Sequence, residues 1–474
     1  MRVVLFGGSF NPPTLADRDA IRLLKQTFDR VIVVPCGIRP DKWETNLVPA
    51  FHRARLIELE FGDLGVEIDL SDLERDEFTT TLELDRVWRE HLHESNAEVW
   101  HAIWCCHTRG GANSQSSIQR DWADGHQVWN TLNIAVITAD GIPCQDEDLP
   151  PHSVRLPPVP FRDGHEQLRE KLVRGHDLTG LVSPRGVAYA KRFGLFRGTP
   201  GSHREGRLVL PTNPAFYIAA DDHNPKARAW AEQFPGAVDS IAEADTVIAI
   251  GGDGHMLDAI YRNQPLVPVI GINAGHLGFL LNDVEPQRLL EHIAEQGVLH
   301  SHLLPMLEVR VQNMDGTWQE ATHRGFQDVW LDRLDGQAIW VNVNVKGRDV
   351  AETIDRMVCD LVLVCTAAGT SAYARLMGAP ILPFTTPALT LAGQGVGAPS
   401  PWHSVLLPDD VTVTFTSIGG AKRPARAYID GRALGQVQAV SVRQSRVLST
   451  ELAFLPWYSL TAKIMKLQFP RKSS

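Results

Sequence analysis

The segment TVIAIGGDGHMLDAIYR, residues 246–262, places an apolar strand, the turn Gly-Gly-Asp-Gly and the start of a helix in direct succession. Glycines let a ligand approach the backbone closely, and the first turn of a helix offers free N–H groups to an anion. Asp253, between the glycines, can accept a proton from an attacking hydroxyl group or hold Mg²⁺. The pattern favours phosphate binding, and a tight turn without a ligand is the alternative interpretation. Because the chain has no GxxxxGK[ST] sequence, it is not a P-loop enzyme.

The first half of the chain opens with the same alternation of strand and helix. Residues 3–6 and 30–35 predict buried strands, and residues 16–28 between them predict a helix. A unit of this length implies a right-handed crossover and a parallel sheet. A further strand is predicted at residues 133–138, and further helices at 52–61, 80–92, 166–173 and 186–193, with residues 79–81 (three threonines) as candidate N-caps. Residues 101–117, rich in glycine, serine and cysteine, are predicted to form a loop insertion.

The second half begins as α/β and then changes its periodicity. Strands are predicted at residues 215–219, 246–250 and 267–272, with a helix at residues 225–233. From about residue 304 the runs LEVRVQ, DVWLDR, IWVNVNV, LVLVC, VTVTF and AVSVRQ are mostly alternating and are separated by turns. Period-two runs of this kind indicate a β-rich domain.

Composition excludes several classes of protein. The 474 residues carry 46 Lys and Arg against 56 Asp and Glu, a formal net charge of −10, which argues against a dedicated nucleic-acid binder or a polybasic membrane protein. No run approaches the ~18 apolar residues needed to span a bilayer. Six cysteines without a CxxC pair, and no signal peptide, predict a reduced, cytoplasmic protein. Cys105-Cys106-His107 is not expected to bind a metal, because zinc needs four ligands and adjacent cysteines rarely share one.

The second half resembles the NAD kinase family over about residues 208–467. Residues 251–254 match its GGDG motif, and GINAGHLGFL at residues 271–280 matches its GINxGxLGFL motif. Residues 359–373, CDLVLVCTAAGTSAY, are similar to its GDG…STPTGSTAY segment, and Asp430-Gly431 to its late Asp-Gly turn. The resemblance implies transfer of a phosphoryl group from ATP (or polyphosphate), with Mg²⁺, to the 2′-hydroxyl group of NAD. It also implies a homo-oligomer, dimer or tetramer, of an α/β domain and a β-sandwich.

The resemblance also implies roles for individual residues. Asp253 is then the base, or the metal-side carboxylate, that activates the 2′-hydroxyl group, and Gly252 and Gly254 shape the phosphate loop. Gln327 and Asp328 stand where the family has Asn-Glu to grip the dinucleotide. The other positions implied for the substrate pocket are His255, Asp360, Thr366, Ser371, Ala372 and Tyr373, and Gly369 also matches. His255 replaces a Thr or Asn, and we predict either a phosphate ligand or a solvent-facing side chain.

Several positions depart from the family pattern. Cys359 and Leu361 replace the glycines that flank the aspartate at position 360, and Leu376 replaces a serine. Residues 367 and 368, both alanine, replace the proline and threonine of STPTG. Losing one hydrogen bond to a bound polar group costs about 1–3 kcal/mol, so these changes can alter substrate choice without touching the catalytic carboxylate. A kinase for a different NAD-like nucleotide and a catalytically dead NAD(P)-binding regulator are therefore kept as alternatives.

Residues 7–13, GGSFNPP, resemble the opening GGSFDPxHxGH of nicotinate/nicotinamide mononucleotide adenylyltransferases, and the likeness extends over about residues 1–196. In that family the two histidines of HxGH lie at a helix N-terminus, hold phosphates and stabilise charge on the transferred phosphoryl group. The positions implied for nucleotide binding here are Gly7, Gly8, Ser9, Phe10, Lys42 and Arg169.

The key residues of that motif are replaced. Residues 14–17 are Thr-Leu-Ala-Asp, so both histidines are absent and Asp17 brings a negative charge to where phosphates should lie. The SSTxxR signature keeps at most the arginine, and the GxD signature has no clean match near residues 104–107. We therefore predict that this domain has lost adenylyl transfer and acts as a mononucleotide sensor, an oligomer interface or a scaffold. A bifunctional enzyme is the alternative, and it needs another cation, such as Arg18 or Lys42.

The predicted fold class is α/β throughout the first two domains. A Rossmann-like, nucleotidyltransferase-type domain is predicted at residues 1–197, followed by a linker at 198–207. An NAD-kinase-type α/β domain follows at 208–303, completed by about 440–474, with a β-sandwich substrate domain at 304–439. The expected partners are small-molecule nucleotides and further copies of the chain, without nucleic acid or membrane.

Overall fold

The structure is a computed structural model that describes residues 1–38, 48–75, 77–93, 96–160, 168, 170–171, 174, 178–196, 204–263 and 266–469. The chain divides into two compact units, Met1–His203 and Arg204–Ser474. The helix predicted at residues 166–173 lies largely outside the described residues. None of the described helices has the length and apolar character that crossing a membrane requires.

The first unit contains a six-stranded parallel sheet in the order β3-β2-β1-β4-β5-β6. All strands point the same way, but β2 and β3 extend the sheet on one side of β1 and β4 to β6 extend it on the other. Val3 of β1 accordingly pairs with Arg30 on one side and with Val99 on the other. Open parallel sheets bind ligands at the carboxyl ends of the strands beside such a switch point. The strands are β1 (Arg2–Gly8), β2 (Arg30–Pro35), β3 (Glu67–Ile68), β4 (Glu98–Trp104), β5 (Asn133–Ala139) and β6 (Ser153–Val159). This sheet confirms the predicted Rossmann-like fold.

Helices connect these strands, and side-chain caps mark where the first and the fourth of them begin. A Thr14–Asp17 capping box starts the first helix, and the Thr80 hydroxyl group accepts the N–H of Glu83 at the start of the fourth. Side-chain caps satisfy N–H groups that have no partner inside the helix. The helices are α1 (Leu15–Thr27), α2 (Ala50–Phe61), α3 (Ser71–Arg75), α4 (Thr81–His91), α5 (Ser117–Asp121), α6 (Gly125–Thr131) and α7 (Pro184–Arg192).

The prediction of a loop over residues 101–117 was wrong at its start. His101 to Trp104 belong to β4, next to the centre of the sheet. The buried His101 ring donates from Nε2 to Asp85 Oδ1 at 3.1 Å, and Arg89 donates to the other oxygen of that carboxylate at 2.6 Å. This buried pair explains how a polar residue is tolerated inside the sheet, a contact that strand periodicity does not reveal.

The second unit begins with β7 (Glu205–Leu208) and continues as parallel α/β structure. Strands β8 (Phe216–Ala220), β9 (Thr246–Gly251) and β10 (Val269–Asn273) lie side by side in parallel. Their helices are α8 (Pro225–Ala231), α9 (Asp253–Asn263) and α10 (Pro286–Ala294). Val247, Ile248, Val269 and Ile270 are fully buried, as expected for strands covered on both faces.

The rest of the second unit is β-rich and forms two facing sheets. One is antiparallel, in the order β18-β17-β16-β13-β20-β21, and the other has ten strands that include β7 to β10. The long strand β22 pairs antiparallel with β11 and β19 and parallel with β10, so it joins the two kinds of structure in one sheet. The strands are β11 (Leu299–Gln312), β12 (His323–Gly325), β13 (Asp328–Arg333), β14 (Ile339–Lys346), β15 (Ala351–Cys359), β16 (Leu361–Thr366), β17 (Ala388–Gln394), β18 (Val405–Pro408), β19 (Thr412–Ser417), β20 (Ala425–Ile429), β21 (Arg432–Gln436) and β22 (Ala439–Phe454).

Alternate residues of the two sheets share one apolar core. Val309, Val329, Val341, Val362 and Val440 each come from a different strand of that core. Two helices complete the unit, α11 (Tyr373–Leu376) and α12 (Leu460–Gln468). The alternation predicted from residue 304 onward is therefore the inward face of a sandwich, with polar residues outward.

Candidate active site

The Gly-Gly-Asp-Gly turn lies between β9 and α9 in the second unit. A Cβ atom at Gly252 or Gly254 would meet no atom within 4 Å, so the space beside the start of α9 is open. A Cβ atom at Gly251 would lie 2.9 Å from the Cβ of His255, so this glycine allows the histidine to pack against the strand end. The arrangement presents an open helix N-terminus, which is suited to a phosphate group.

The carboxylate of Asp253 is held by the loop that follows β10. Phe279 N–H donates to its Oδ2 at 2.8 Å, and Leu280 N–H donates to its Oδ1 at 3.0 Å. Burial raises the pKa of Asp253, and the two N–H donors together with the charge of Lys463 act in the opposite direction. A carboxylate offers about four acceptor positions, so each oxygen can accept another proton donor. Asp253 is thus an oriented proton acceptor beside the open turn.

The His255 side chain is half-buried and turned toward the sheet. Its Nε2 donates to the carbonyl oxygen of Ala219, in β8, at 3.0 Å. The solvent-facing alternative predicted for this histidine is therefore wrong, because the ring is anchored to the neighbouring strand. Its role toward phosphate stays a prediction.

Gln327 and Asp328 are held in place by a third aspartate. The carboxylate of Asp430 accepts N–H groups from Phe326, Gln327 and Asp328 at 2.7, 2.7 and 2.8 Å. Gln327 and Asp328 are themselves buried, with 5% and 3% of their surfaces exposed. The late Asp-Gly turn at residues 430–431 therefore shapes the backbone of the Gln-Asp pair from about a hundred residues away.

A second set of contacts holds the same turn from the opposite strand. Thr366 Oγ1 donates to the carbonyl oxygen of Phe326 at 3.0 Å, and Thr366 N–H donates to that of Gln327 at 2.9 Å. A Cβ atom at Gly369 would lie 2.3 Å from the carbonyl oxygen of Gln327, so only glycine fits there. Thr366 and Gly369 thus act through the backbone of the Gln-Asp pair.

Asp328 has the strongest electrostatic perturbation among the implied binding residues. Burial raises its pKa to about 7. Its carboxyl group is therefore close to half protonated at neutral pH and can either donate or accept a hydrogen bond. That property suits recognition of ribose hydroxyl groups.

Aromatic side chains lie on the face of β13 that carries Asp328. Trp330, two residues further along the strand, stacks on Tyr428 with ring centroids 5.0 Å apart. The ring of Tyr373 meets Trp330 edge to face at 5.3 Å. Trp330 and Tyr428 were not among the predicted site residues, although the alternation of DVWLDR places Asp328 and Trp330 on one face.

The remaining predicted residues of this region differ in their placement. Ser371 Oγ donates to the carbonyl oxygen of Ala368 at 3.3 Å, and half-buried Ala372 precedes α11. Asp360 pairs with Arg333 at 2.8 Å and directly precedes β16, whereas Thr366 ends that strand. At the rise of a strand, Asp360 and Thr366 are roughly 20 Å apart. The structure therefore does not bring Asp360 to the Gln327 turn.

The departures at Cys359 and Leu361 have a structural explanation. These residues are 0% and 2% exposed. Cys359, at the end of β15, packs in the apolar core between the two sheets, and Leu361, at the start of β16, packs in a separate apolar cluster. Leu376 differs, because it is 68% exposed. Cys359 and Leu361 therefore contribute to apolar packing. At position 376, by contrast, an exposed leucine stands where the family pattern has a serine.

One apolar cluster joins the surroundings of the Gly-Gly-Asp-Gly turn to those of the Gln327-Asp328 pair. Met256 of α9, Leu280 of the following loop, Phe326 and Ala368 all belong to it. Phe326 directly precedes the Gln-Asp pair, and Ala368 directly precedes Gly369. Because these residues share one core, the open turn and the Gln-Asp pair are parts of a single packed unit.

The C-terminal segment, predicted to complete the α/β domain, also reaches this region, although it holds none of the predicted site residues. Buried Lys463 donates to the carbonyl oxygens of Gly278 and Leu281, and the Tyr458 hydroxyl group donates to that of Phe279. These residues follow Asp253 by about two hundred positions and match no predicted motif.

The described residues contain no group of three or more His, Cys, Asp or Glu side chains arranged to hold a metal ion. Mg²⁺ in kinases is commonly bound by one or two carboxylates together with substrate phosphates. A binding mode of this kind needs at most two carboxylates of the chain, and the phosphates of a bound nucleotide would supply further ligands.

In the first unit, the residues implied for nucleotide binding surround the end of β1. Gly7 and Gly8 close the strand, and the carbonyl oxygen of Ser9 accepts two bonds from buried Arg53, at 2.6 and 3.2 Å. Phe10 is buried and packs edge to face on Phe6 and Phe61, so its ring belongs to the core. Lys42 and Arg169 lie outside the described residues.

The N-terminus of α1, where the resemblance to adenylyltransferases would place two histidines, holds a carboxylate of the chain itself. Asp17 Oδ2 accepts the N–H of Thr14 at 2.9 Å and its hydroxyl group at 2.7 Å. The N–H of Asp17 donates in return to Thr14 Oγ1 at 3.1 Å. Arg18, proposed above as a replacement cation, donates to Asp63 Oδ1 at 2.6 Å. This helix start thus carries the Asp17 carboxylate, and Arg18 is paired with Asp63.

Comparison with known proteins finds one matching family in each half of the chain. Residues 221–297 match the family "ATP-NAD kinase N-terminal domain", and residues 5–128 match the family "Cytidylyltransferase-like". An NAD kinase of Cereibacter sphaeroides (strain ATCC 17025 / ATH 2.4.3) is 35% identical over 231 residues, 48% of this chain and 87% of the relative. An NAD kinase of Rickettsia peacockii (strain Rustic) is 34% identical over 251 residues, 52% of this chain and 95% of the relative.

Among solved structures, yeast NADH kinase complexed with NADH is similar at a TM-score of 0.45 and 14% identity, over 55% of this chain and 89% of that chain. The sequence relatives carry the assignment, because they are more than 30% identical over most of their own length. Residues 5–128 of the first unit are similar to the cytidylyltransferase-like family, and the chain belongs to the NAD kinase family.

Proposed function

We propose that the second unit transfers a phosphoryl group from ATP, or from polyphosphate, to the 2′-hydroxyl group of NAD and so produces NADP. Membership of the family makes the protein a phosphotransferase. The observation that carries the specific proposal is Asp253, whose carboxylate is oriented by two N–H groups beside an open helix N-terminus.

In this proposal, Asp253 accepts the proton of the 2′-hydroxyl group as that oxygen attacks the transferred phosphoryl group. A general base works best when its pKa lies near the operating pH, and burial moves the pKa of Asp253 upward in that direction. The open backbone at Gly252 and Gly254 would hold phosphate oxygens at the start of α9. Gln327 and Asp328 would bind the dinucleotide.

The test is to incubate the purified chain with NAD, ATP and Mg²⁺ and to read NADP with a coupled dehydrogenase. We expect NADP formation that Asp253→Asn lowers by at least about a hundredfold, with NAD binding largely retained, because general-base catalysis contributes 10²–10⁴-fold. Asp258→Asn is the matched control, since Asp258 is an exposed aspartate on the same helix. A wild-type rate in Asp253→Asn would refute the role of this carboxylate. Saturable NAD binding without any transfer would support the regulator alternative.

A different acceptor nucleotide is the second candidate, and the exposed Leu376 is the observation that favours it. The family pattern has a serine there, and the apolar side chain of Leu376 removes a hydrogen-bond donor from the surface of α11. A panel of NAD, NADH and related dinucleotides, followed by mass spectrometry, separates the two candidates. A product from NAD at the highest kcat/KM supports the first.

For the first unit, we propose that it does not transfer adenylyl groups. The Asp17 carboxylate at the start of α1 repels the phosphates that this position would have to bind, and this supports the proposal. Incubation with nicotinamide mononucleotide, ATP and Mg²⁺ should give no NAD. Formation of NAD would instead support a bifunctional enzyme.

We also propose, from the family resemblance, that the chain forms a dimer or tetramer. Light scattering of the purified chain tests this oligomeric state.

A further inference from the structure

Two consecutive peptide groups connect the Asp253 carboxylate to the C-terminal segment. In the peptide group between Gly278 and Phe279, the N–H donates to Asp253 Oδ2 and the carbonyl oxygen accepts from Lys463 Nζ. In the next peptide group, the N–H of Leu280 donates to Asp253 Oδ1 and the carbonyl oxygen of Phe279 accepts from the Tyr458 hydroxyl group. Each carboxylate oxygen is therefore the inner end of a chain of two hydrogen bonds.

The outer end at Lys463 is a buried cation with several partners. Only 5% of its surface is exposed, and Nζ also donates to the carbonyl oxygen of Leu281 and lies 3.3 Å from a carboxylate oxygen of Asp283. Ser459, which caps α12, fixes the start of the helix that carries this lysine. A buried ammonium group with carbonyl and carboxylate partners is a strongly constrained charge, so it is a specific feature of this region.

We propose that Lys463 and Tyr458 are positioning residues for phosphoryl transfer, which orient Asp253 and keep it ionised through the two intervening peptide groups. This inference rests on the function proposed for Asp253. Neither side chain touches the substrate in this proposal, and both act through the backbone of residues 278–280.

The physical basis is polarisation. Hydrogen bonds in a chain strengthen one another, because each donor that binds a carbonyl oxygen makes the N–H of the same peptide group a better donor. A positive charge near a carboxylate also favours its ionised form. Among the described residues, the charged and titratable groups that act on Asp253 are Lys463 and Tyr458 on the C-terminal segment and Asp283 on the loop. His255, on the same helix, is turned toward Ala219 of β8.

Removing the lysine charge therefore has a defined sign. Burial raises the pKa of Asp253, and the charge of Lys463 lowers it. Without that charge the pKa rises further, so the base is deprotonated only at higher pH. The acidic limb of the profile of kcat/KM against pH should move to higher pH.

The experiment compares pH profiles of NADP formation for the full chain and four variants. Lys463→Met should move the acidic limb to higher pH. At pH values on the acidic side of the limb, kcat/KM should be about tenfold below that of the wild type, and at high pH it should recover. Lys463→Arg, which keeps the charge, should restore the wild-type limb. Tyr458→Phe should lower kcat about threefold to tenfold, because it removes one hydrogen bond. Lys466→Met, on the exposed side of the same helix, is the matched control and should behave as wild type.

A wild-type profile in Lys463→Met would overturn the inference while leaving the kinase assignment intact. A loss that is equal at every pH and not rescued by arginine would overturn it too, because that is the result of a merely structural role. Tyr458→Phe keeps the test available if Lys463→Met fails to fold.

A second readout does not depend on turnover. Carboxyl ¹³C NMR of aspartate-labelled protein follows the titration of Asp253, whose signal is assigned by its loss in Asp253→Asn. A midpoint that rises in Lys463→Met supports the inference even if no variant forms NADP. An unchanged midpoint overturns it.

Discussion

Replacing Asp430 with asparagine changes the carboxylate that accepts three backbone N–H groups from residues 326–328. The substitution is well suited to test this contact, because Asp430 has a φ of 45° and asparagine is among the residues that tolerate the left-handed region. The backbone is therefore not strained by the change. What changes is the charge and the number of acceptor atoms.

The expected magnitude follows from counting acceptors. If the asparagine oxygen takes the position of Oδ1, it keeps the bonds from Gln327 and Asp328, and the N–H of Phe326 then faces an amide group that cannot accept. A buried unsatisfied donor costs about 1–3 kcal/mol, and the remaining two bonds lose their charge assistance. We therefore expect a loss of about 2–4 kcal/mol in the second unit.

The assay has two parts. The KM for NAD should rise by at least about tenfold, since 1.4 kcal/mol corresponds to a factor of ten, while kcat changes less because Asp253 is untouched. The thermal transition of the second unit should fall by roughly 4–8 °C for a loss of about 2 kcal/mol. Asp335→Asn, at an exposed turn of the same unit, is the control. An unchanged KM together with an unchanged transition would refute the claim that Asp430 shapes the Gln-Asp pair.

Two further predictions concern the same region. Since burial raises the pKa of Asp328 to about 7, its ionisation disfavours the folded state as pH rises from about 4 through 7, by up to about 4 kcal/mol. Denaturation between pH 4 and 8 should therefore show Asp328→Asn gaining stability relative to wild type as pH rises, and a constant difference would contradict this. Gly369→Ala brings a Cβ atom to 2.3 Å from the carbonyl oxygen of Gln327 and should raise the KM for NAD at least about tenfold, whereas Gly336→Ala, where a Cβ atom has open space, should not. Equal kinetics in the two alanine variants would show that the Gln327 backbone does not depend on Gly369.

Several features could be predicted because their causes are local in the sequence. Buried parallel strands such as β1 and β9 are continuous apolar runs, and the sandwich strands alternate with period two. The Gly-Gly-Asp-Gly turn and the Thr80 cap likewise depend on neighbouring residues only. Local causes leave a local pattern, and these elements lie within a few residues of their predicted bounds.

Features that depend on distant partners could not be predicted in this way. His101 lies inside β4 because Asp85, on a different element, pairs with its ring. The placement of Asp360 apart from the Gln327 turn follows from the pairing of β13 with β16, in which Asp328 faces Cys365 and Asp332 faces Leu361. Polar residues in a sheet show their role only when the partner is known.

The sequence by itself determined the α/β class, the β-rich second half, the Gly-Gly-Asp-Gly turn and the absence of histidine at positions 14 and 17. Only the tertiary structure decided which groups surround Asp253. Phe279 and Leu280 bind its carboxylate through backbone N–H groups, which almost every residue type has. The side chains of Tyr458 and Lys463 in turn bind carbonyl oxygens of the same segment. Periodicity and motifs record side-chain chemistry along the chain. Contacts made through peptide groups across about two hundred residues leave no such record, and they appear only when the chain is folded.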